Sequence, residues 1–183
     1  VMEDGVKVLE GAVIRGPCYI GKGTVIGNNA LIWNYSHIGE RCVVGYSTEV
    51  KHSYIGDECW FHSNYIGDSI IDAQCSFGAG TITANFRFDE RNIFVNINGK
   101  RIDTGLDKLG AIVGTRCKTG INVSLMPGVK VGPNSFVGPH VELTEDLGPN
   151  KMILAKREYK VVENLMKLSE EKRRDLMKRL KWL

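Results

Sequence analysis

The stretch CYIGKGTVIGNNALIWNYSHIGERCVVG, residues 18–45, decides the fold. Ile20, Ile26, Ile32, Ile38 and Val44 stand six residues apart in it. The beat runs back through Ile14, Val8 and Met2 and on to Val50, and a later series reads Val113, Thr119, Leu125, Val131, Val137 and Leu143. A surface helix repeats its apolar face every three to four residues and a half-buried strand every two. A strict six fits neither. It predicts short strands joined at regular corners, three to a coil, each pointing one large side chain inward. That is the hexapeptide parallel β-helix, an all-β class.

The fourth residue after each apolar one is expected to face inward in a tighter space. Ala12, Cys18, Thr24, Ala30, Ser36, Cys42 and Thr48 stand there, and later Cys59, Cys75, Cys117, Val123, Val129, Ser135 and Val141. All are small or β-branched. The residue just after the apolar one is often glycine, as at Gly21, Gly27, Gly39, Gly45, Gly78 and Gly120, and is expected to supply corner backbone angles that other residues resist. All five cysteines fall in the small inward slot. An odd count without CxxC pairs speaks against a disulfide framework or a zinc site. Free thiols in that slot read as small core hydrophobes and predict a reducing, cytoplasmic setting.

The 183 residues allow one domain with a real core and a short appendage. The net charge of +3 is too small to imply a nucleic-acid partner, and no apolar run approaches the ~20 residues that cross a bilayer. The chain enters the repeat at Val1, without Met, which reads as a piece of a longer protein whose missing part precedes it. Residues 151–183 carry 11 Lys/Arg against 5 Asp/Glu. From about Arg157 the six-beat is gone, and Val162, Leu165, Met166, Leu176, Met177 and Leu180 fall at helix-like spacings. Residues 157–183 therefore read as a tail of one or two amphipathic helices that cap the prism or pack on a neighbouring subunit.

The beat then slips. Val50, Ile55, Phe61, Ile66, Ile71 and Phe77 follow at intervals of five, six, five, five and six. A shortened interval must pinch a corner or distort a strand, and such costs tend to persist where a site needs them. His62 occupies the corner after Phe61, so its ring is expected outside the core. Lys51 and Tyr65 lie close by in sequence. After Phe77 the beat stops until about Val113, and residues 84–108 read as an excursion from the prism. FVNINGKRI, residues 94–102, alternates around Asn98–Gly99, the preferred pair of a two-residue hairpin turn. The excursion carries Arg87, Arg91, Lys100, Arg101 and Lys108, a basic loop fit to hold a phosphate beside the histidine or simply a solvated hairpin.

HSNYIGD (62–68) followed by FGAGTITAN (77–85) resembles the acetyltransferase half of the bifunctional N-acetylglucosamine-1-phosphate uridylyltransferases. The likeness is greatest to their archaeal relatives, the sugar-1-phosphate nucleotidylyltransferase/acetyltransferases, and covers residues 8 to 156. It implies a left-handed β-helix over residues 1–156 and a homotrimer with sites between subunits. It also implies a nucleotidylyltransferase domain ahead of the prism, absent from this chain. The implied reaction is N-acetylation of glucosamine 1-phosphate or galactosamine 1-phosphate by acetyl-coenzyme A, without a metal, toward UDP-N-acetylhexosamines. His62 matches the base. An imidazole titrating near pH ~6.5 can take the amine proton at neutral pH. Backbone N–H groups near Gly78–Ala79 match the place of the developing oxyanion. Lys51 and Arg91 match cations for the sugar phosphate, Arg91 standing where lysine is common. Tyr65 and Asn85 match sugar contacts. Ala79, Gly120, Asn122 and Lys156 match the acetyl-coenzyme A path.

Two departures matter. Ser76 stands where the bacterial enzymes have a substrate-contacting Asn, and Trp33–Asn34 stand where they carry a phosphate-binding Arg. Both leave the choice of sugar open. Three other readings compete: a non-catalytic trimerising scaffold for a nucleotidylyltransferase, a γ-carbonic-anhydrase-like metal enzyme, and a transferase for another acyl acceptor. The metal reading needs three converging histidines, and His37, His52, His62 and His140 are irregularly spaced.

Overall fold

In the computed structural model, which describes residues 1–156, 158–167 and 169–180, the chain winds as a three-faced parallel β-helix. The first face holds eight strands, from Lys7–Val8 to Met152–Ile153. The second holds seven, from Val13–Ile14 to Glu142–Leu143, and the third six, from Tyr19–Ile20 to Lys130–Val131. Consecutive strands lie on consecutive faces, so each pairs with the strand one coil on: Ile26 stands beside Val44, and Val44 beside Phe61. The six-beat residues point inward as expected. Ile20, Ile26, Ile32, Ile38, Val44 and Val50 are completely buried. Each such burial stabilises by roughly 1.5–3 kcal/mol. Met2 and Val8 are the exception and stay exposed, because no coil covers that end.

The corner glycines are needed for a different reason than the sequence suggested. None of Gly21, Gly27, Gly39, Gly45, Gly78 or Gly120 has positive φ; the left-handed residue comes two positions later, at Asn29, Arg41 or Ser47. What excludes a side chain is the next coil. A Cβ on Gly45 would lie 2.4 Å from the Phe61 carbonyl oxygen, and one on Gly78 would lie 2.6 Å from the Gly120 carbonyl carbon.

The five-residue intervals are absorbed entirely in corners. There the positive-φ residue follows the apolar one by two positions instead of three, at His52, Ser63 and Asp68. Several six-residue corners close by a backbone bond, such as Thr48 N–H to the Gly45 oxygen at 3.2 Å. The shorter corners close by a buried polar side chain. The Ser53 hydroxyl donates to the Lys51 oxygen at 2.8 Å, the Ser69 hydroxyl to the Gly67 oxygen at 2.7 Å, and Asn64 Oδ1 accepts the His62 N–H at 2.6 Å.

Cys42, Cys59, Cys75 and Cys117 stack in consecutive coils at the corner between the third and first faces. Each thiol donates to a carbonyl of the following coil (Gly56, Asp72, Gly114 and Gly132) at 3.1–3.2 Å. Thr24 and Ser135 continue the ladder with hydroxyls. Contact with neighbouring thiols, then burial, pushes Cys59 and Cys117 up.

The excursion leaves after Ile82–Thr83 and the prism resumes at Ile112–Val113. Its hairpin pairs Phe94–Ile97 with Lys100–Asp103 through Asn98 and Gly99, both at positive φ. In the tail, a helix forms over Glu170–Leu180. The Ser169 hydroxyl oxygen accepts the Lys172 N–H at its start, with Glu170 and Glu171 in the first turn and Lys178 and Arg179 in the last. Among the described residues the expected cap is not built: the helix touches no strand, and Leu176 and Met177 are exposed. Val162, Leu165 and Met166 lie in an exposed stretch without helix, so the tail holds one described helix. Arg157, Leu168 and residues 181–183 of the expected tail lie outside the described residues.

Candidate active site

Down the corner between the first and second faces runs a column of equivalent positions: Gly27, Gly45, His62, Gly78, Gly120 and Gly138. Each glycine N–H donates to the next coil, for example Gly45 to the Phe61 oxygen at 3.0 Å and Gly120 to the Val137 oxygen at 2.8 Å. Leu9 and Leu154 hold the same place at the two ends of the column; between them His62 alone carries a side chain, and its N–H alone leaves the ladder, turning to Asn64 Oδ1. Asn64 is 4% exposed, and its Nδ2 donates to the Gly78 and Thr81 oxygens at 2.9 and 3.1 Å. The tightened corner thus lifts His62 off the coil below and frees room for a Cβ. The imidazole is exposed, as expected.

Ala79 and Asn122 follow Gly78 and Gly120 on the same corner, and the Asn122 N–H donates to the Ala79 oxygen at 2.8 Å. Lys156 stands exposed just beyond the last first-face strand, Met152–Ile153. The structure therefore aligns His62, Ala79, Gly120, Asn122 and Lys156 along one edge. From the Phe61 row to the Ile153 row is four coil steps, about 19 Å. Of the two expected oxyanion donors, the Gly78 N–H is committed to the Thr119 oxygen at 3.1 Å. The Ala79 N–H has no partner among the described residues.

Tyr65 lies on the second face with its ring folded over Gly67, where a Cβ would meet the phenol oxygen at 2.6 Å. Asn85 Nδ2 donates to Tyr65 Oη at 3.3 Å and also to Asp68 Oδ2. Asp68 Oδ1 in turn lies 3.5 Å from His52 Nδ1. Burial, then the nearby charges of Glu49 and Asp68, pushes the Tyr65 phenol up, so it stays protonated as a hydrogen-bonding group. Lys51 ends its strand in register with Gly67, so Lys51, Tyr65 and Asn85 share the second face. The Lys51 Nζ lies 5.8 Å from the centre of the Trp33 ring.

Two expected members stand apart within the subunit. Ser76 is on the first face between Trp60 and Lys118, in a hollow of about 490 Å³. Arg91 is on the excursion, which departs from the corner between the second and third faces. The cationic hairpin therefore does not stand beside His62: two different corners carry them. Asp89 grips Arg91 Nη2 at 2.8 Å and Arg87 Nη2 at 2.6 Å, which holds the Asp89 carboxyl well below its usual range. No group of three or more His, Cys, Asp or Glu among the described residues is placed to hold a metal ion.

Sequence reasoning missed Asn64, Asp68, His52 and Glu49. A signal existed for Asn64: each five-residue interval puts a polar residue in the inward slot, and Asn is the bulkiest of them. Nothing in the spacing pointed to Glu49, whose Oε1 accepts the Trp33 indole N–H at 2.7 Å.

The three-faced coil, its six-residue beat and the single histidine in a glycine corner place this chain among the hexapeptide-repeat proteins. Residues 1–32 and 110–145 match the family model described as bacterial transferase hexapeptide (six repeats). Within that class it is similar to the bifunctional sugar-1-phosphate nucleotidylyltransferase/acetyltransferase of Sulfurisphaera tokodaii, 43% identical over 80% of this chain and 40% of the relative. It is likewise similar to the bifunctional protein GlmU of Methanocaldococcus jannaschii, 44% identical over 83% of this chain and 42% of the relative. The chain thus spans about two fifths of the length of these relatives. A solved Bacillus cereus structure, the product of the BC4754 gene, shares the fold at TM-score 0.50. It is 16% identical, with 97% of this chain and 83% of that one covered.

Proposed function

We propose that this chain transfers an acetyl group from acetyl-coenzyme A to the amine of an amino-sugar 1-phosphate, glucosamine 1-phosphate or galactosamine 1-phosphate. The observation that carries the reading is His62: an exposed imidazole at the one position of a glycine corner where the chain makes room for a side chain. Likeness to relatives named acetyltransferases supports it.

His62 takes the amine proton as the nitrogen attacks the thioester carbon. The Ala79 N–H donates to the oxyanion that forms, and being fixed in a corner it needs little reorganisation. Collapse breaks the C–S bond, and the proton on His62 passes to the leaving thiolate. Lys51 holds the phosphate, Tyr65 and Asn85 the sugar, and Gly120, Asn122 and Lys156 line the path of the coenzyme. His62 and Ser76 lie toward the corner between the first and second faces, and Lys51, Asn85 and Arg91 toward the corner between the second and third, so one acceptor meets both sets across a subunit boundary. A homotrimer is accordingly part of the proposal, and exposed apolar side chains such as Trp60, Ile82 and Phe136 offer contacts for it.

The test is thiol release from acetyl-coenzyme A with each amino-sugar 1-phosphate, in parallel with the oligomeric state. Release with either sugar supports transfer. An intact trimer that releases no thiol with both would make the prism a scaffold.

A further inference from the structure

Two cations on the second face are gathered on one aromatic ring. Arg15 Cζ lies 4.4 Å from the centre of the Trp33 ring, and Lys51 Nζ lies 5.8 Å from the same centre. The three residues belong to consecutive coils. The Arg15 N–H donates to the Ile32 oxygen and the Trp33 N–H to the Val50 oxygen, both at 2.8 Å, so Arg15, Trp33 and Lys51 form a column at the end of the second-face strands. The indole is held by its N–H bond to Glu49 Oε1 at 2.7 Å. That bond also commits the Glu49 carboxylate to the ring N–H.

Neither cation has a carboxylate partner among the described residues. Arg41, Arg87, Arg91 and Arg179, by contrast, are each paired with one. Arg91 is the cation that sequence reasoning assigned to the phosphate, yet Asp89 holds it by both Nε and Nη2. Arg101, Arg116 and Arg173 also lack a carboxylate partner among the described residues, but Arg15 and Lys51 are the unneutralised cations that share one aromatic ring. A phosphate dianion matches such a pair: a guanidinium fork can take two oxygens, and an ammonium the third. Each cation is stacked on the indole, which cannot itself neutralise either charge.

We propose that Arg15 is a second phosphate anchor for the acceptor, gripping it together with Lys51, with Trp33 setting their separation. The proposal rests on the reading of a phosphorylated amino-sugar acceptor and deepens it. It makes Arg15 a specificity residue that separates phosphorylated from neutral sugars. It also explains how Trp33 can stand where a cation was expected: the charge comes from the coil before.

The experiment uses the full chain and its Arg15→Ala and Arg15→Lys variants. Glucosamine 1-phosphate binding is measured calorimetrically. Initial rates are measured against glucosamine 1-phosphate, unphosphorylated glucosamine and acetyl-coenzyme A. Because Arg15 is exposed, the variants are expected to fold, and the unfolding midpoint checks this. Arg15→Ala should weaken binding and raise KM for the sugar phosphate by about 10-fold or more. The KM for acetyl-coenzyme A and the rate on glucosamine should not move, and Arg15→Lys should recover part of the loss. If the wild type binds and acetylates the sugar phosphate while Arg15→Ala binds it within twofold of wild type, the anchor is wrong and the transferase reading stands. Binding that depends on Arg15 without thiol release would keep the anchor and remove the transferase. No binding of either glucosamine 1-phosphate or galactosamine 1-phosphate by the wild type would remove both.

Discussion

The main-chain N–H of His62 donates to Asn64 Oδ1 at 2.6 Å, where the glycines of the same corner donate to the next coil. One hydrogen bond thus exchanges a rung of the backbone ladder for a side-chain loop two residues long. The exchange gives the column its only imidazole.

Replacing the imidazole tests the chemistry. His62→Ala should lower turnover by at least about 100-fold while the oligomeric state and unfolding midpoint hold. Steady-state kinetics with sedimentation would check it, and near-normal turnover would remove His62 from the mechanism.

Asn64→Ala should do more than loosen a corner. It strips the His62 N–H of its acceptor and leaves the Gly78 and Thr81 oxygens short of a donor. A buried polar group left unsatisfied costs about 1–3 kcal/mol, so denaturant unfolding should reveal a loss of that order. Turnover should fall as well, because His62 is placed by this bond. A stable Asn64→Ala protein with unchanged turnover would show that the corner holds its shape without the amide.

Two glycines separate close approach from backbone freedom. A Cβ on Gly45 meets the Phe61 oxygen at 2.4 Å, whereas nothing lies within 4 Å of one on Gly148. Gly45→Ala should destabilise by about 2 kcal/mol or more, and Gly148→Ala should be neutral or slightly stabilising. Thermal unfolding of the pair decides, and equal midpoints would refute the steric account.

The cysteine ladder predicts slow thiol chemistry. Cys42, Cys59, Cys75 and Cys117 are buried with their S–H groups engaged, while Cys18 is half-buried. A thiol reagent applied to the native protein should reach Cys18 well before the others, with all five reacting after unfolding. Cys59→Ser should keep its bond, since Thr24 and Ser135 already fill the same ladder with hydroxyls.

His37 gives a pH dependence. It stacks between Tyr19 and Tyr54, with ring centres 4.7 Å apart on each side. Burial lowers its pKa, and the charge of Asp57 partly opposes the shift. A base depressed in the folded state contributes stability that is present above its unfolded pKa near ~6.5 and lost as pH falls through the folded value. Nuclear magnetic resonance should place the His37 titration below that of a model imidazole, and His37→Gln should flatten the loss of stability on the acid side. A midpoint at or above the model value would contradict the burial argument.

Much of the fold was legible because one large side chain per strand must enter a core of constant cross-section, which writes a period of six into the chain. The same logic located the cysteines, and the Asn98–Gly99 pair between alternating residues located the hairpin turn. It failed where solvation competes with packing. Val162, Leu165 and Met166 have helical spacing but no surface to meet in the chain, and they stay exposed outside any helix. Likewise, Met2 and Val8 keep the beat without being buried, since a period reports which way a side chain points and not whether another coil covers it.

By itself the sequence determined the coil, its three inward columns and the places where the count slips, since these depend on spacing along the chain. Only the tertiary structure decided how a slip is absorbed and which residues of different coils meet. Asn64 closing the His62 corner and Arg91 bound to Asp89 are contacts two residues apart that depend on how a turn folds, and Arg15 lying over Trp33 is a contact between coils. Side chains in adjacent coils are brought within a few ångströms by a winding that spends sixteen to eighteen residues on most turns. Charge and hydrogen-bond partners are short-range, so they follow that stacking and leave no period to read.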